Sequence, residues 1–383
     1  MKNLLKYLSY VLVAALASVV TLAVVNADPN MKVTKLEELQ ALIEERFIGE
    51  ADATELADAA ASAMVDATGD RWSYYISAAD YQDHMDQMNN SYVGVGITIT
   101  VAEDGFDIVH VERTGPAAEA GILAGDTIVA INGQSAAGMS TTDASALVKG
   151  EEGTTVDLTV RRDGAELTFT VERRQVLTVV AEGRMLADGI GLVTINNFDA
   201  RCADETIAAI ETLLEQGADK LVFDVRNNPG GYKSELVKVL DYLLPEGPLF
   251  RSETYDGKTS VDESDASCLD LPMAVLVNSE SYSAAEFFAA ALNEYDYAVV
   301  VGGQTCGKGY FQSTFKLSDG SAVGLSIGKY YTPEGVSLAD AGGLTPEIRV
   351  DVDDETFAAI YAGTLEPEKD PQIQAAVAAL LEE

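Results

Sequence analysis

Between residues 175 and 335, short apolar runs alternate with amphipathic helical stretches, and this alternation limits the fold more than any other feature of the chain. Residues 190–195, 221–225, 273–277 and 298–301 read as strands, and residues 203–214, 234–244 and 284–293 read as helices. The run at 273–277 is apolar at every position, which predicts a buried strand. Strand and helix in turn predict an α/β domain with a largely parallel sheet. Ligands of such sheets bind beyond the carboxyl ends of the strands. Two loops leave strand ends here, Arg226-Asn-Asn-Pro-Gly-Gly231 and residues 278–283, and both are candidates for one crevice.

The second loop ends at Ser283, where a helix begins. Free backbone N–H groups at a helix start favour developing negative charge, a good setting for a nucleophilic serine. Ser283-Ala-Ala-Glu286 is also a capping box, in which the serine merely caps the helix. Only two histidines occur, His84 and His110, both in the first third, so a serine nucleophile here needs another base. The helix after Ser283 carries the chain ~15 Å away at 1.5 Å per residue. The strand from residue 298 returns roughly 17–20 Å at about 3.3 Å per residue. Gln304-Thr-Cys-Gly-Lys-Gly309 should therefore arrive near Ser283, and Lys308 between two glycines can approach it closely. A lysine acts as general base only when neutral, which requires lowering a pKa of ~10.4 by about three units. A surface lysine in a glycine turn is the plainer reading of the same residues.

The rest of the chain adds modules. Lys2 and Lys6 precede an uncharged stretch at residues 7–27, long enough to span a bilayer as one helix. Val25-Asn-Ala27 offers a signal-peptide cleavage site as the alternative, and the basic N-terminal flank places the body outside the cytoplasm. Residues 33–88 read as mostly helical, with a stripe of Val33, Leu36, Leu39 and Leu42, a second helix at 54–64 and an aromatic loop at 70–75. From Tyr92 the texture changes to short alternating strands with hairpin signals at Asn132-Gly133 and Asp163-Gly164. A tail helix is expected at 370–381, with Ile373, Val377, Leu380 and Leu381 on one face that can pack on the core or on another subunit of a homo-oligomer. The net charge of −37, from 25 Lys plus Arg against 62 Asp plus Glu, argues against a nucleic-acid partner. Cys202, Cys268 and Cys306 lie far apart, giving neither a disulfide framework nor metal-ligand spacing, and neither metal nor cofactor is expected.

Gly115-Pro-Ala-Ala-Glu-Ala-Gly-Ile122 and Gly125-Asp-Thr-Ile-Val-Ala-Ile-Asn-Gly133, with the hairpins around them, resemble a PDZ domain over about residues 92–174. The resemblance implies that Gly94, Val95, Gly96 and Ile97 form the loop that captures a peptide's C-terminal carboxylate, the peptide adding as a strand. Ser281-Tyr-Ser-Ala-Ala-Glu286, Gly307-Lys-Gly-Tyr-Phe-Gln312 and Asp224-Val-Arg-Asn-Asn-Pro-Gly-Gly231 resemble the carboxyl-terminal processing peptidases, or tail-specific proteases, of the Ser-Lys type. Tyr331-Thr-Pro-Glu-Gly335 and Gly343-Leu-Thr-Pro-Glu347 match two further elements of that family, and the resemblance extends over about residues 33–350.

It implies α/β plus β architecture: an anchor or signal peptide (1–27), a helical segment (28–90), a PDZ domain (91–174), a crotonase/ClpP-like protease core (175–350) and an acidic tail (351–383). It implies Ser283 as nucleophile, Lys308 as general base, Gln312 as the residue holding the lysine, and the N–H groups of Ala284 and Gly230 as oxyanion hole. The expected activity is endoproteolysis of extracytoplasmic proteins near their C-termini, by an enzyme held in the cell membrane, or secreted or periplasmic if residues 1–27 are removed. A catalytically inert PDZ-bearing binding or scaffold protein of the cell envelope is the alternative. Tyr282, Ala285 and Cys306 depart from the residues usual in the family, and Lys149-Gly150 stands where many members carry Arg-Gly.

Overall fold

The computed structural model describes residues 34–382, so the expected anchor at residues 7–27, its cleavage alternative and Val33 lie outside the described residues. Among the described residues no helix is long and apolar enough to cross a membrane. The chain divides into two units, residues 1–75 and 76–383.

In the first unit, Thr34 caps the helix Lys35–Arg46 through a capping box with Glu37. Asp52 caps the helix Ala53–Asp66 by accepting from the N–H groups of Thr54 and Glu55. The apolar stripe forms on the first helix, yet Leu36, Leu39 and Leu42 remain exposed among the described residues.

In the second unit, the strands Ile97–Ala102, Gly105–Val111, Thr127–Ile131, Thr155–Arg162 and Ala165–Glu172 form one antiparallel sheet in that order. Both expected hairpins are present, with positive φ at Asn132 and Gly133 and at Asp163 and Gly164, as the tightest two-residue turns require. Phe106, Ile108, Ile122, Ile128, Ile131 and Leu158 fill its core. Both ends of this module pass through one two-stranded ribbon, Ser91–Gly94 against Arg174–Leu177.

The alternating segment forms a six-stranded sheet in the order Ala181–Met185, Ile190–Ile195, Lys220–Asp224, Met273–Val277, Ala298–Gly302, Ile348–Arg349. The first pair is antiparallel and every later pair parallel. Phe223, Val275 and Val300 point into the larger core with the helices Cys202–Glu215, Lys233–Leu243 and Ala284–Glu294. Their neighbours Val222, Ala274, Leu276 and Val301 point to the opposite face. Both faces are therefore covered, which is why the strands read as apolar runs without polar alternation. The opposite face is covered by the tail helix Pro371–Glu382, through Ile373, Ala376 and Leu380. Each large apolar side chain buried there contributes ~1.5–3 kcal/mol. The tail helix thus packs on the core, while Leu381 is exposed. A second, antiparallel sheet, with the strands Gly247–Thr254, Thr259–Ser264, Tyr310–Lys316 and Ala322–Tyr331, carries the chain on from the lysine loop.

Candidate active site

The two strand-end loops meet and are stapled together. Asn227 N–H donates to Asn278 Oδ1 at 3.0 Å, and Asn278 Nδ2 donates back to Asn227 Oδ1 at 2.8 Å. The fully buried Ser281 donates its hydroxyl to Val225 O at 2.7 Å and accepts from Asn278 N–H at 3.0 Å. Tyr282 N–H reaches Asn228 O at 3.2 Å. The chain then turns sharply: Ser283 has φ 60° and ψ −120°, a conformation costing about 1–3 kcal/mol outside glycine. Such strain persists only where the surroundings over-determine it, and here it throws Ser283 out at the start of the helix Ala284–Glu294.

Gly230 closes against this turn. A Cβ there would lie 2.7 Å from Ser283 Cβ and 2.9 Å from Ala284 N, and its φ of +91° disfavours any other residue. The structure therefore brings Ser283, Ala284 and Gly230 together. The Gly230 N–H, however, donates to the buried Asn228 Oδ1 at 2.8 Å, so the expected oxyanion donor is engaged inside its own loop.

The lysine loop arrives through Glu286, which is fully buried among the apolar residues of the helix that run to Leu292. Its Oε2 accepts from Ser283 N–H at 3.0 Å and from Lys308 N–H at 2.9 Å. Its Oε1 accepts from Gly307 N–H and from Thr305 Oγ1, each at 2.5 Å. One carboxylate thereby holds the serine turn and the lysine loop at once, and the capping box seen in the sequence is its local half. Thr305 Oγ1 also accepts from Leu344 N–H at 2.7 Å. Gly307, at φ +83°, lets the loop lie against Gly343, whose N would be 2.9 Å from a Cβ at position 307.

Lys308 is half-buried, and its Nζ lies 6.0 Å from the centroid of the Tyr282 ring. Gln312 sits at a register shift in the strand Tyr310–Lys316, and its amide donates to Tyr310 O at 3.2 Å and Ser326 Oγ at 2.9 Å. Bulges next to active sites re-aim side chains in this way. The residues implied for peptide capture lie elsewhere: Gly94 in the ribbon, Val95 buried in the PDZ core, Gly96 at φ +77° between them and the first strand, and Ile97 at the start of that strand.

Three contributors were not apparent in the sequence. Glu286 looked like a cap residue only; the available signal was a carboxylate inside an apolar helix. Asn228 and Thr305 carried no signal beyond lying in the two loops. Asp199, adjoining the bridge between Phe198 and Gly231, has a carboxyl pushed up to about 7 by burial, and its Oδ1 finds no hydrogen-bond donor in the described structure. Among the described residues no group of three or more His, Cys, Asp or Glu is arranged to hold a metal ion.

Peptidase family S41 matches residues 189–350, which contain every residue of this site, and the PDZ domain family matches residues 108–162. A "Probable CtpA-like serine protease" of Staphylococcus haemolyticus (strain JCSC1435) is 29% identical over 328 residues, covering 84% of this chain and 66% of that protein. The "Carboxy-terminal processing protease CtpA" of Bacillus subtilis (strain 168) is 28% identical over 368 residues, covering 92% of this chain and 79% of its own. The chain thus spans about two thirds of the length of the staphylococcal relative. A solved structure from Bacteroides fragilis NCTC 9343, described as a "Putative S41 protease", shares the fold with a TM-score of 0.58 at 17% identity, covering 93% of this chain and 99% of that one. Residues 189–350 thus match peptidase family S41 with a PDZ domain ahead of them, and over most of its length the chain resembles carboxy-terminal processing serine proteases.

Proposed function

We propose that the chain is a serine endopeptidase working through a Ser283–Lys308 dyad. The observation that carries this reading is the Glu286 carboxylate, which accepts from the Ser283 and Lys308 amides on a single oxygen. In this mechanism neutral Lys308 takes the Ser283 proton as Oγ attacks the scissile carbonyl. The oxyanion develops against the Ala284 N–H at the helix start, and the Gly230 N–H joins it once released by Asn228. Lys308 then protonates the leaving amine, and water resolves the acyl-enzyme. Gln312 holds the strand that follows the lysine loop through the Ser326 bond.

The PDZ domain takes the substrate's C-terminal tail. In support, the strand Ile97–Ala102 is at the edge of its sheet, where a peptide can add as a further strand. An anchor at residues 7–27 would hold the enzyme at a membrane with its body extracytoplasmic, acting on envelope or secreted proteins.

The test uses the purified chain with an unfolded protein substrate. Ser283→Ala and Lys308→Ala should each abolish cleavage while the melting curve stays cooperative, and a fluorophosphonate probe should label Ser283 in wild type alone. Full activity in either variant would refute the dyad.

A further inference from the structure

A buried phenol reaches the site from the second sheet. Tyr330 lies near the end of the strand Ala322–Tyr331 and is 3% exposed. Its ring packs against Phe250 and Phe287 at centroid distances of 5.6 and 5.8 Å. Its backbone N–H donates to Gly309 O at 3.2 Å, and its hydroxyl donates to Lys308 O. One residue therefore grips two successive carbonyls of the lysine loop.

A phenol has one proton to give. That proton is committed to Lys308 O. Burial, reinforced by the Glu286 carboxylate, holds the phenol well above its ordinary pKa. Tyr330 thus stays a neutral donor to the Lys308 carbonyl.

We infer that Tyr330 is a positioning residue for the dyad, its hydroxyl and N–H tying the Lys308 and Gly309 carbonyls and so holding the loop that presents Lys308 to Ser283. The inference rests on the peptidase reading above. As Oγ attacks, its proton passes to Lys308 Nζ, and the phenol's own proton stays on Tyr330 throughout. Glu286 fixes the loops through their amides, and Tyr330 fixes the lysine loop through its carbonyls.

The test compares Tyr330→Phe, which keeps the ring packing, with wild type and Ser283→Ala in the full chain. Melting temperature, kcat and KM on an unfolded substrate, and the rate of Ser283 labelling by a fluorophosphonate are measured from pH 6 to 10. The expected result is a melting temperature close to wild type, KM within about twofold, and kcat and labelling rate both lowered about tenfold, the worth of one neutral hydrogen bond. A wild-type kcat, or a loss confined to KM, overturns the inference. If the variant melts lower, kinetics are taken at a temperature where circular dichroism shows it folded, and a wild-type kcat there overturns it equally. A wild-type chain that neither cleaves nor labels refutes the peptidase reading instead, whatever Tyr330→Phe does.

Discussion

Replacing Glu286 by glutamine tests the joint between the two loops. The carboxylate is fully buried and accepts four hydrogen bonds, two on each oxygen. An amide keeps one oxygen and sets an NH2 where the other stood. Turned toward Ser283 and Lys308, that NH2 would face two N–H donors; turned toward Thr305, it faces one N–H and a hydroxyl that can rotate to accept. The second orientation costs less, so the amide oxygen should stay on Ser283 and Lys308 while the Gly307 N–H loses its acceptor. A charge-assisted hydrogen bond is worth ~1.5–3 kcal/mol, and the three that remain become neutral bonds of roughly half that strength. By that count the expected cost is about 4–7 kcal/mol, a large share of the 5–15 kcal/mol that holds a typical domain. Glu286→Ala strands all four donors and should cost clearly more. The assay pairs thermal melts with kcat on an unfolded substrate for both variants. A wild-type melt with a wild-type kcat in the glutamine variant would refute the joint, and so would glutamine and alanine variants that cannot be told apart.

Gly230→Ala should abolish cleavage in a chain that still folds, because its Cβ would sit 2.7 Å from Ser283 Cβ at a φ of +91°; activity above about a tenth of wild type would contradict the close approach. Burial pushes the Asp199 carboxyl up to about 7, above the ~3.9 of an unfolded aspartate, so the folded chain keeps a proton that the unfolded chain releases. Stability from this retained proton is full below about pH 4 and is lost as pH rises toward 7, by up to ~4 kcal/mol. Asp199→Asn should therefore melt with wild type at pH 4 and above it at pH 8, and an equal gain at both pH values would exclude titration as the cause. Arg226 is buried and paired with Asp224 at 2.5 Å and Asp370 at 2.8 Å, with Gln372 at 2.9 Å, and these carboxylates hold its pKa above the ordinary value. Arg226→Ala leaves two buried carboxylates unpaired at a cost of about 3–5 kcal/mol, and limited proteolysis should find the tail helix cut sooner than in wild type.

The parallel sheet was legible because residues 221–225 and 273–277 carry few polar groups, as a sheet covered on both faces demands. The hairpins at Asn132-Gly133 and Asp163-Gly164 were legible because their turn requires positive φ at two successive residues, which those types tolerate. The stripe of Leu36, Leu39 and Leu42 forms as a helix face but stays exposed, because periodicity reports which face is apolar and says nothing of what covers it. For the same reason the tail helix could be drawn from its pattern while its seat on Leu192, Val222, Ala274 and Leu276 could not.

By itself the sequence determined the secondary elements, the PDZ module and the candidacy of Ser283 and Lys308, since helix and strand periodicity, turn residues and motif order are all local properties. Tertiary structure alone decided how these parts engage. Glu286 grips an amide 22 residues away, Tyr330 reaches back over the same span to Lys308, and Gly230 comes against a serine more than fifty residues later. Each depends on strand register, parallel beneath Glu286 and Gly230 and antiparallel at Tyr330, and on the exit angle of the loops above. Those follow from the packing of the whole sheet, and no short window of residues encodes them.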